Sequence, residues 1–373
     1  MKVGITCYPT YGGSGIVATE LGLELANRGH EVHFISYANP IRLDPGTLRV
    51  HYHEVEVSTY PLFHYPPYSL ALASRMAEVA ETHGLDLLHV HYAIPHSISA
   101  LLARQMIQQR RRLPFITTLH GTDITLVGTD RSYFPITKFS IEESDGVTTV
   151  SEYLRRQTIE VFGISKEIRV INNFINSDLY RPAPEQREAS RFAPRGEKVL
   201  IHISNFRPVK RVLDCIRILD SVRRELPAHL LMVGDGPDRS PAERLARELG
   251  VEGHVTFLGK QDHIERLIPH AHVLLLPSEL EAFGLAALEA MACGVPPIAT
   301  SAGGVPDLVE HGVNGFMERP GDVAAQARHA IELLTNEALY ERVSSAARES
   351  AVRRFSTSLI IPMYERYYAQ VCA

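Results

Sequence analysis

The chain has 373 residues, of which 45% are apolar and 22% charged, so it is longer than one ordinary domain and has the composition of a two-domain globular protein. A formal net charge of −5 and a pI near 6.4 argue against a nucleic-acid-binding protein. No apolar run reaches the ~18 residues of a membrane span. The N-terminus MKVGITCYPT lacks the charged and apolar regions of a signal peptide. The four cysteines lie far apart without a CxxC pair, and we expect free thiols in a cytoplasmic protein.

Short apolar runs alternate with amphipathic segments in chain order. Strand candidates lie at 2–7, 31–36, 87–91, 115–119 and 146–150, and a second series lies at 198–204, 229–233, 255–258, 272–276 and 297–300. The runs are continuous, which is typical of parallel strands buried on both faces. Helical patterns lie between them, for example at 15–28, 70–83, 209–225 and 240–249. This alternation predicts an α/β protein with doubly wound sheets.

The alternation breaks once, in a polar segment with three prolines at 172–197, which predicts an interdomain connection. The first domain is then 1–171 and the second is 198–355. The final segment, 356–373, has the pattern of an aromatic-rich helix. From its residues alone, this helix either caps the second domain or crosses back to the first.

The first candidate site is Gly12-Gly13-Ser14-Gly15, which follows the first strand and opens a helix. Glycines there let backbone N–H groups approach an anion, and the helix N-terminus adds partial positive charge. The spacing is not GxGxxG, and Tyr37 rather than an acidic residue follows the second strand, which disfavours a nicotinamide dehydrogenase. A plain tight turn is the alternative interpretation.

The second candidate site, Ser204–Arg211, follows the first strand of the second domain. Its cations Arg207, Lys210 and Arg211 suit a diphosphate. Cations are unfavourable at a helix N-terminus unless an anion is present, which weakens the alternative of a solvated helix start.

The third candidate site, 277–290, follows a very apolar strand. Free N–H groups at 283–285 could hold a phosphate where Gly284 opens a helix. Glu281 could reach a sugar in the preceding loop, and Glu289 could grip vicinal hydroxyls as carboxylates do with ribose. A carboxylate within an apolar helix face needs a partner, so a purely structural Glu289 is disfavoured.

Histidines occur in pairs two residues apart, at His51/His53, His89/His91 and His270/His272, and such a pair on a strand points to one face. No third ligand at metal-site spacing accompanies a pair and no DxD motif is present, so the sequence predicts no metal site.

With these motifs the chain resembles the retaining family 4 glycosyltransferases of the GT-B fold, over essentially its whole length. Glu281-x7-Glu289 matches their paired-glutamate motif. The resemblance implies two Rossmann-like doubly wound domains facing a central cleft, with the nucleotide sugar bound mainly by the second domain and the acceptor by the first. It also implies that the terminal helix crosses back.

The resemblance assigns roles to individual residues. Lys210 matches the diphosphate lysine, and Asn205 stands where the family has an arginine, so Arg207 must supply that charge. His120 matches a histidine near the sugar's 6-hydroxyl. The implied catalytic residues are His120, Arg207, Lys210 and Glu281. Donor binding is implied for Gly13, Ser14, Gly15, Arg207, Lys210, Gln261, Glu281, Phe283, Gly284, Leu285 and Glu289. Neither cofactor nor metal is expected, because front-face attack leaves charge stabilisation to the cations.

Five segments resemble most the family members that transfer N-acetylglucosamine from UDP-GlcNAc to L-malate, the first step of bacillithiol biosynthesis. They are 4–22, 89–100, 117–128, 202–211 and 277–296. For a dicarboxylate, the first domain offers Ser14, Tyr92, Thr118 and Thr122, with Arg131, Lys138 or Arg207 as cations. The alternatives are an inositol phosphate or sugar phosphate acceptor, a UDP-sugar epimerase, and a non-catalytic sugar-binding protein. The oligomeric state stays open, with a homodimer as one option.

Overall fold

The computed structural model describes residues 1–10, 12–44, 46–58, 61–62, 64–188 and 190–373. These residues form two compact units, one made of Met1–Asn173 with Ser358–Ala373 and the other of Phe174–Thr357. Across the described ranges, no helix combines the length and apolarity that crossing a bilayer requires.

The first unit contains a seven-stranded parallel sheet. Its strands are β1 (Lys2–Thr6), β2 (Glu31–Ser36), β3 (Val50–Glu54), β4 (Leu87–His91), β5 (Phe115–Leu119), β6 (Gly146–Thr149) and β7 (Ile168–Val170), in the order β3-β2-β1-β4-β5-β6-β7. The helices are α1 (Gly13–Asn27), α2 (Tyr68–His83), α3 (Ile98–Ile107), α4 (Thr122–Thr125), α5 (Phe134–Glu143) and α6 (Glu152–Phe162). The order reverses between β1 and β4, so loops after these strands diverge and leave room for a ligand.

The last helix of the chain, Thr357–Cys372, packs on the first unit. Its Tyr364 and Tyr368 are fully buried, and the hydroxyl of Tyr368 lies 2.7 Å from His89 Nδ1 on β4. On its outer side, Glu365 forms a two-point ion pair with Arg28 at 2.8 and 2.9 Å. Aromatic burial therefore makes this helix an integral part of the first unit's core.

The second unit contains a six-stranded parallel sheet. Its strands are β8 (Lys198–Ile203), β9 (Ala228–Val233), β10 (Val255–Gly259), β11 (Val273–Leu276), β12 (Pro297–Thr300) and β13 (Phe316–Glu318), in the order β10-β9-β8-β11-β12-β13. Its helices are α7 (Pro184–Glu188), α8 (Val212–Arg223), α9 (Arg239–Glu248), α10 (Leu285–Ala292), α11 (Val323–Thr335) and α12 (Glu337–Phe355), so the terminal helix is α13. The reversal lies between β8 and β11, and the candidate loops 204–211 and 277–284 follow these two strands.

The predicted fold class is confirmed, with two doubly wound parallel sheets, and the ten predicted strands are present with ends that differ by one residue at most. Three short strands, β3, β7 and β13, were not predicted. Each lies at the edge of a sheet, where half-exposed residues replace a continuous apolar run.

The segment predicted as an interdomain connection, 172–197, differs in the structure. From Phe174 onward it belongs to the second unit. Ile175 bridges to Ser356, and the Arg187 side chain donates to the Ala271 carbonyl at 3.0 Å. Polar composition and prolines predicted a linker here, whereas these contacts anchor the segment. Ala189, within it, lies outside the described residues.

Candidate active site

Glu281 lies in the loop between β11 and α10, where two donors hold its carboxylate. Lys210 Nζ lies 2.6 Å from Oε1, and the Ser278 hydroxyl donates to the same oxygen at 2.7 Å. The loop itself is fixed, because the Gly304 N–H donates to the Glu281 carbonyl at 2.8 Å. A Cβ on Gly303 would lie 2.0 Å from that carbonyl, so only glycine fits there. The structure therefore brings two predicted catalytic residues into direct contact.

Lys210 ends a 3₁₀ turn, Pro208–Lys210, in the loop after β8. The Glu279 N–H donates to the Val209 carbonyl at 2.8 Å, so the loops after β8 and β11 are directly linked. Arg211 is engaged elsewhere, with Asp214 at 2.7 Å and Glu279 at 3.3 Å. Arg207 is exposed and, among the described residues, its guanidinium has no partner. Of the three cations, Arg207 is thus the one whose charge is uncompensated.

The loop after β8 is supported by a histidine. His202 Nδ1 lies 2.9 Å from the Leu275 carbonyl and Nε2 lies 2.7 Å from Ser204 Oγ, so Nδ1 carries the proton and Nε2 accepts. Burial lowers the pKa of His202 to about 4, which keeps the ring neutral. Ser204 Oγ in turn accepts the Phe206 N–H at 3.2 Å.

Two glycines after β9 were missed in the sequence. A Cβ on Gly234 would lie 1.7 Å from the Ser204 carbonyl, and one on Gly236 would lie 2.1 Å from the Asn205 carbonyl. Gly234-Asp235-Gly236-Pro237 directly follows a buried strand, and that spacing was a usable signal for a close backbone approach at the carboxyl edge of the sheet.

The N-terminus of α10 begins at Gly284, which has a φ of 95° and caps the helix without a side-chain hydrogen bond. Its first turn has no acidic residue, so its N–H groups can receive an anion. The Phe283 ring is buried and packs edge-on against Phe355 at 5.5 Å. Phe283 can therefore contribute only its backbone N–H to a ligand. Leu285 is partly exposed.

Glu289 lies one turn deeper in α10 and is 4% exposed. The Tyr180 hydroxyl donates to its Oε1 at 3.0 Å. Tyr180 was missed because it falls in the segment predicted as a linker. The partner that a buried carboxylate requires is therefore present. Gln261 follows β10, is exposed, and donates to the Leu258 carbonyl at 2.7 Å.

In the first unit, the loop after β1 lies next to the loop after β4. Ser14 Oγ donates to the Tyr92 hydroxyl at 3.2 Å, and Tyr92 has an unusual φ of 85°. A Cβ on Gly15 would lie 2.6 Å from the Tyr8 carbonyl, so a glycine is required where α1 approaches this loop. Gly13 is the first residue of α1.

His120 follows β5 and contacts the loop after β4. Its Nε2 lies 2.8 Å from His91 Nδ1, and burial lowers its pKa to about 3, so the imidazole is neutral. Asp123, which the sequence analysis missed, accepts the N–H groups of Ala93, His120 and Gly121 at 2.9–3.2 Å. Burial raises the pKa of Asp123 to about 6. This carboxylate ties together the two loops that carry Tyr92 and His120.

Thr118 requires a correction. Its side chain is fully buried, and Oγ1 lies 2.7 Å from His89 Nε2 and 2.6 Å from Thr148 Oγ1. It faces the sheet's packed side and has no surface to offer an acceptor. Thr122 is exposed at the start of α4, and Arg131 and Lys138 are also at least partly exposed.

Both halves of the chain match models of known protein families. The family model described as Glycosyltransferase Family 4 matches residues 11–179, and that described as Glycosyl transferases group 1 matches residues 184–350. The N-acetyl-alpha-D-glucosaminyl L-malate synthase of Bacillus anthracis is 48% identical over 372 residues, which cover 100% of this chain and 97% of that protein. The D-inositol 3-phosphate glycosyltransferase of Mycobacterium bovis is 27% identical over 95% of this chain and 79% of that protein.

Solved structures show the same fold. HepE of Anabaena, in complex with UDP and glucose, has a TM-score of 0.83 at 21% identity and covers 99% of both chains. The sucrose-phosphate synthase of Thermosynechococcus elongatus has a TM-score of 0.80 at 22% identity, over 100% of this chain and 99% of that chain.

Proposed function

The chain belongs to the family 4 glycosyltransferases with a group 1 C-terminal domain, and we propose that it transfers N-acetylglucosamine from UDP-GlcNAc to the hydroxyl of L-malate with retention of configuration. It is an enzyme that uses a nucleotide-sugar donor. This transfer is the first step of bacillithiol biosynthesis. The observation that carries it is the 48% identity to the Bacillus anthracis synthase over the entire chain.

The donor side of the proposal rests on the second unit. Lys210 and Arg207 meet the diphosphate, the first-turn N–H groups of α10 cap it, and Glu281 receives sugar hydroxyls. Glu289, held by Tyr180 at 3.0 Å, accepts the ribose hydroxyls. The Lys210–Glu281 pair of 2.6 Å supports this assignment, because it keeps a cation and a hydroxyl acceptor adjacent, as the junction between phosphate and sugar requires.

The reaction forms a bond between C1 of the sugar and the malate hydroxyl oxygen and breaks the bond from C1 to UDP. We assign the hydroxyl proton to an oxygen of the departing diphosphate, on the same face of the sugar. Lys210 and Arg207 stabilise the charge that develops on the leaving group, so no metal is required. The protein supplies positioning rather than a covalent nucleophile. Retention agrees with the α-glucosaminyl product in the name of the Bacillus anthracis relative.

The acceptor side rests on the first unit. Ser14, Tyr92 and Thr122 offer hydroxyls, and Arg131 and Lys138 offer charges for two carboxylates. Thr118 is left out because it is buried, and Arg207 belongs to the second unit. His120 Nδ1 has no hydrogen-bond partner among the described residues, so the neutral ring is available to a sugar hydroxyl.

The experiment is a measurement of UDP release from UDP-GlcNAc with a panel of acceptors: L-malate, D-malate, inositol phosphate and glucose 6-phosphate. L-Malate should be strongly preferred over D-malate, because a pocket that grips both carboxylates fixes the face that the hydroxyl presents. Equal rates with inositol phosphate would replace malate by the acceptor class of the 27% identical relative. Conversion of UDP-GlcNAc without any acceptor would indicate the epimerase alternative.

We also propose a cytoplasmic location for the protein. Cys7, Cys215 and Cys293 are buried free thiols and Cys372 is partly buried, which agrees with a reducing cytosol. A homodimer is tested by light scattering on the purified chain.

A further inference from the structure

Four histidines gather on one face of the first unit, away from the strand ends that carry the candidate active site. His33 on β2 is directly paired with His51 on β3, and Ile35 is paired with His53. Paired residues of neighbouring strands point to the same face, so the three rings share one side of the sheet edge. His83, in the last turn of α2, joins them from the helix that packs there.

The ligand nitrogens of this cluster are already close. One nitrogen each from His33, His53 and His83 lies within 4.8 Å of the others, and His33 Nδ1 lies 2.9 Å from His53 Nε2. Two nitrogens bound to a zinc ion at about 2.0–2.1 Å and at a tetrahedral angle lie about 3.3–3.4 Å apart. For the His33–His53 pair, a ring rotation that separates the two nitrogens by about half an ångström gives that spacing.

The second nitrogen of His33 has the partner that a metal-bound imidazole usually has. Its Nε2 lies 3.1 Å from Glu31 Oε1, so the Nε2–H donates to the carboxylate and Nδ1 presents its lone pair to the cluster. A carboxylate behind a ligating histidine fixes the tautomer and makes the ring a better ligand. Glu31 itself is kept at the rim by Lys2, at 3.3 Å.

The end of α2 offers one favourable electrostatic contribution to a bound cation. His83 lies at a helix C-terminus, where the backbone carbonyls favour positive charge. The nearby cation Arg75 is paired with Glu78 at 2.8 Å.

We propose that His33, His53 and His83 form a zinc site, with Glu31 as the outer-shell partner of His33 and a water in the fourth position. Three neutral imidazoles are a ligand set that zinc accepts readily. The site links edge strand β3 to β2 and to the end of α2, so we expect bound Zn²⁺ to stabilise the folded first unit. A second grouping, Glu31 with His33 and His51, also lies within 4.8 Å. We favour the first because it uses three imidazoles and leaves Glu31 as their support.

The experiment uses the full-length chain after removal of metals. Zn²⁺ is titrated against a chromophoric chelator, and Co²⁺ is added separately to read the geometry from its visible absorption. We expect one Zn²⁺ per chain, a tetrahedral Co²⁺ spectrum, and a melting temperature that rises with Zn²⁺ concentration, because only the folded chain holds the site.

Two matched variants separate the groupings, since each keeps a ring and removes both nitrogens. His83→Phe should lose affinity for Zn²⁺ by more than the ~10–100-fold that an outer-shell change costs, whereas His51→Phe should bind as the parent does. The exposed His64 provides a control through His64→Phe, which should also be silent. Far-UV circular dichroism establishes that each variant is folded.

Three results would overturn the proposal. In the first, the folded parent does not bind Zn²⁺. In the second, His83→Phe binds Zn²⁺ as tightly as the parent. In the third, His51→Phe loses binding while His83→Phe retains it. The last would transfer the metal to the grouping with Glu31 and His51.

Discussion

Replacement of Lys210 by alanine tests the link between the structure and the chemistry. Lys210 and Glu281 retain 20% and 11% exposure and their charged atoms lie 2.6 Å apart. Breaking a buried ion pair costs about 3–5 kcal/mol and exposed pairs are worth about 0–1 kcal/mol. For this partly buried pair we expect a loss of about 1–3 kcal/mol of unfolding free energy. The Ser278 hydroxyl remains as a donor to Glu281.

The effect on turnover should be larger than the effect on donor binding. In the proposed mechanism the Lys210 ammonium contacts a diphosphate whose charge grows as the bond to C1 breaks, so its contribution is greatest in the transition state. Loss of one such charge contact typically lowers kcat by about 10²–10³, equivalent to about 2.7–4 kcal/mol. The KM for UDP-GlcNAc should change only a few-fold.

The assay is initial-rate UDP release at saturating L-malate with varied UDP-GlcNAc. Lys198→Ala is the matched control, since it removes the same side chain from the opposite end of the strand that leads to Lys210. It should leave kcat unchanged. A folded Lys210→Ala enzyme whose kcat stays within a few-fold of the parent would remove Lys210 from the mechanism.

Three further predictions follow from named contacts. Glu289→Ala should raise the KM for UDP-GlcNAc with kcat little changed, because a ribose contact is equally strong in ground and transition states; an unchanged KM with a collapsed kcat would assign Glu289 to the chemistry. Activity should persist in excess EDTA, also in the His83→Phe background, whereas a loss that Mg²⁺ or Mn²⁺ restores would contradict the metal-free mechanism. The free energy of unfolding should fall as pH drops from 6.5 towards 4, by up to about 1.4 kcal/mol per pH unit for each histidine that only the unfolded chain can protonate. Burial lowers the pKa of His89 to about 3 and that of His202 to about 4. In chemical denaturation, His89→Gln should therefore show a smaller change of unfolding free energy with pH than the parent. A parent whose stability is independent of pH over this range would refute the assignment.

The sequence predicted the fold wherever burial was two-sided. Strand β11, with the sequence VLLL, is a continuous apolar run, and all five residues of β4 are buried although two of them are histidines. β3, with the sequence VHYHE, contains no continuous apolar run and only partly buried or exposed residues, so it was not predicted. The anchored segment after Asn173 was taken for a linker, because proline content reports local conformation and not tertiary contacts such as that of Tyr180 with Glu289.

The predicted site residues come from local motifs, and the contacts between distant residues become visible only in the structure. Glu281 and Lys210 were predicted from two separate loops, and their contact follows from strands β8 and β11 being neighbours. Thr118 was misjudged, because its hydroxyl points to His89 inside the sheet. The proximity of His33, His53 and His83 was also not predicted, because His83 comes from the end of a following helix and sequence spacing alone does not reveal it.

The most direct test of the central claim is the structure of the product. The purified chain is incubated with UDP-GlcNAc carrying ¹³C at C1 and with unlabelled L-malate in EDTA, and the product is examined by NMR and mass spectrometry. The account predicts a single O-glycoside in which labelled C1 is joined in the α configuration to the hydroxyl oxygen of malate, with one UDP released per glycoside. A β-linked product would contradict retention, and release of free N-acetylglucosamine without any malate glycoside would contradict the proposed acceptor.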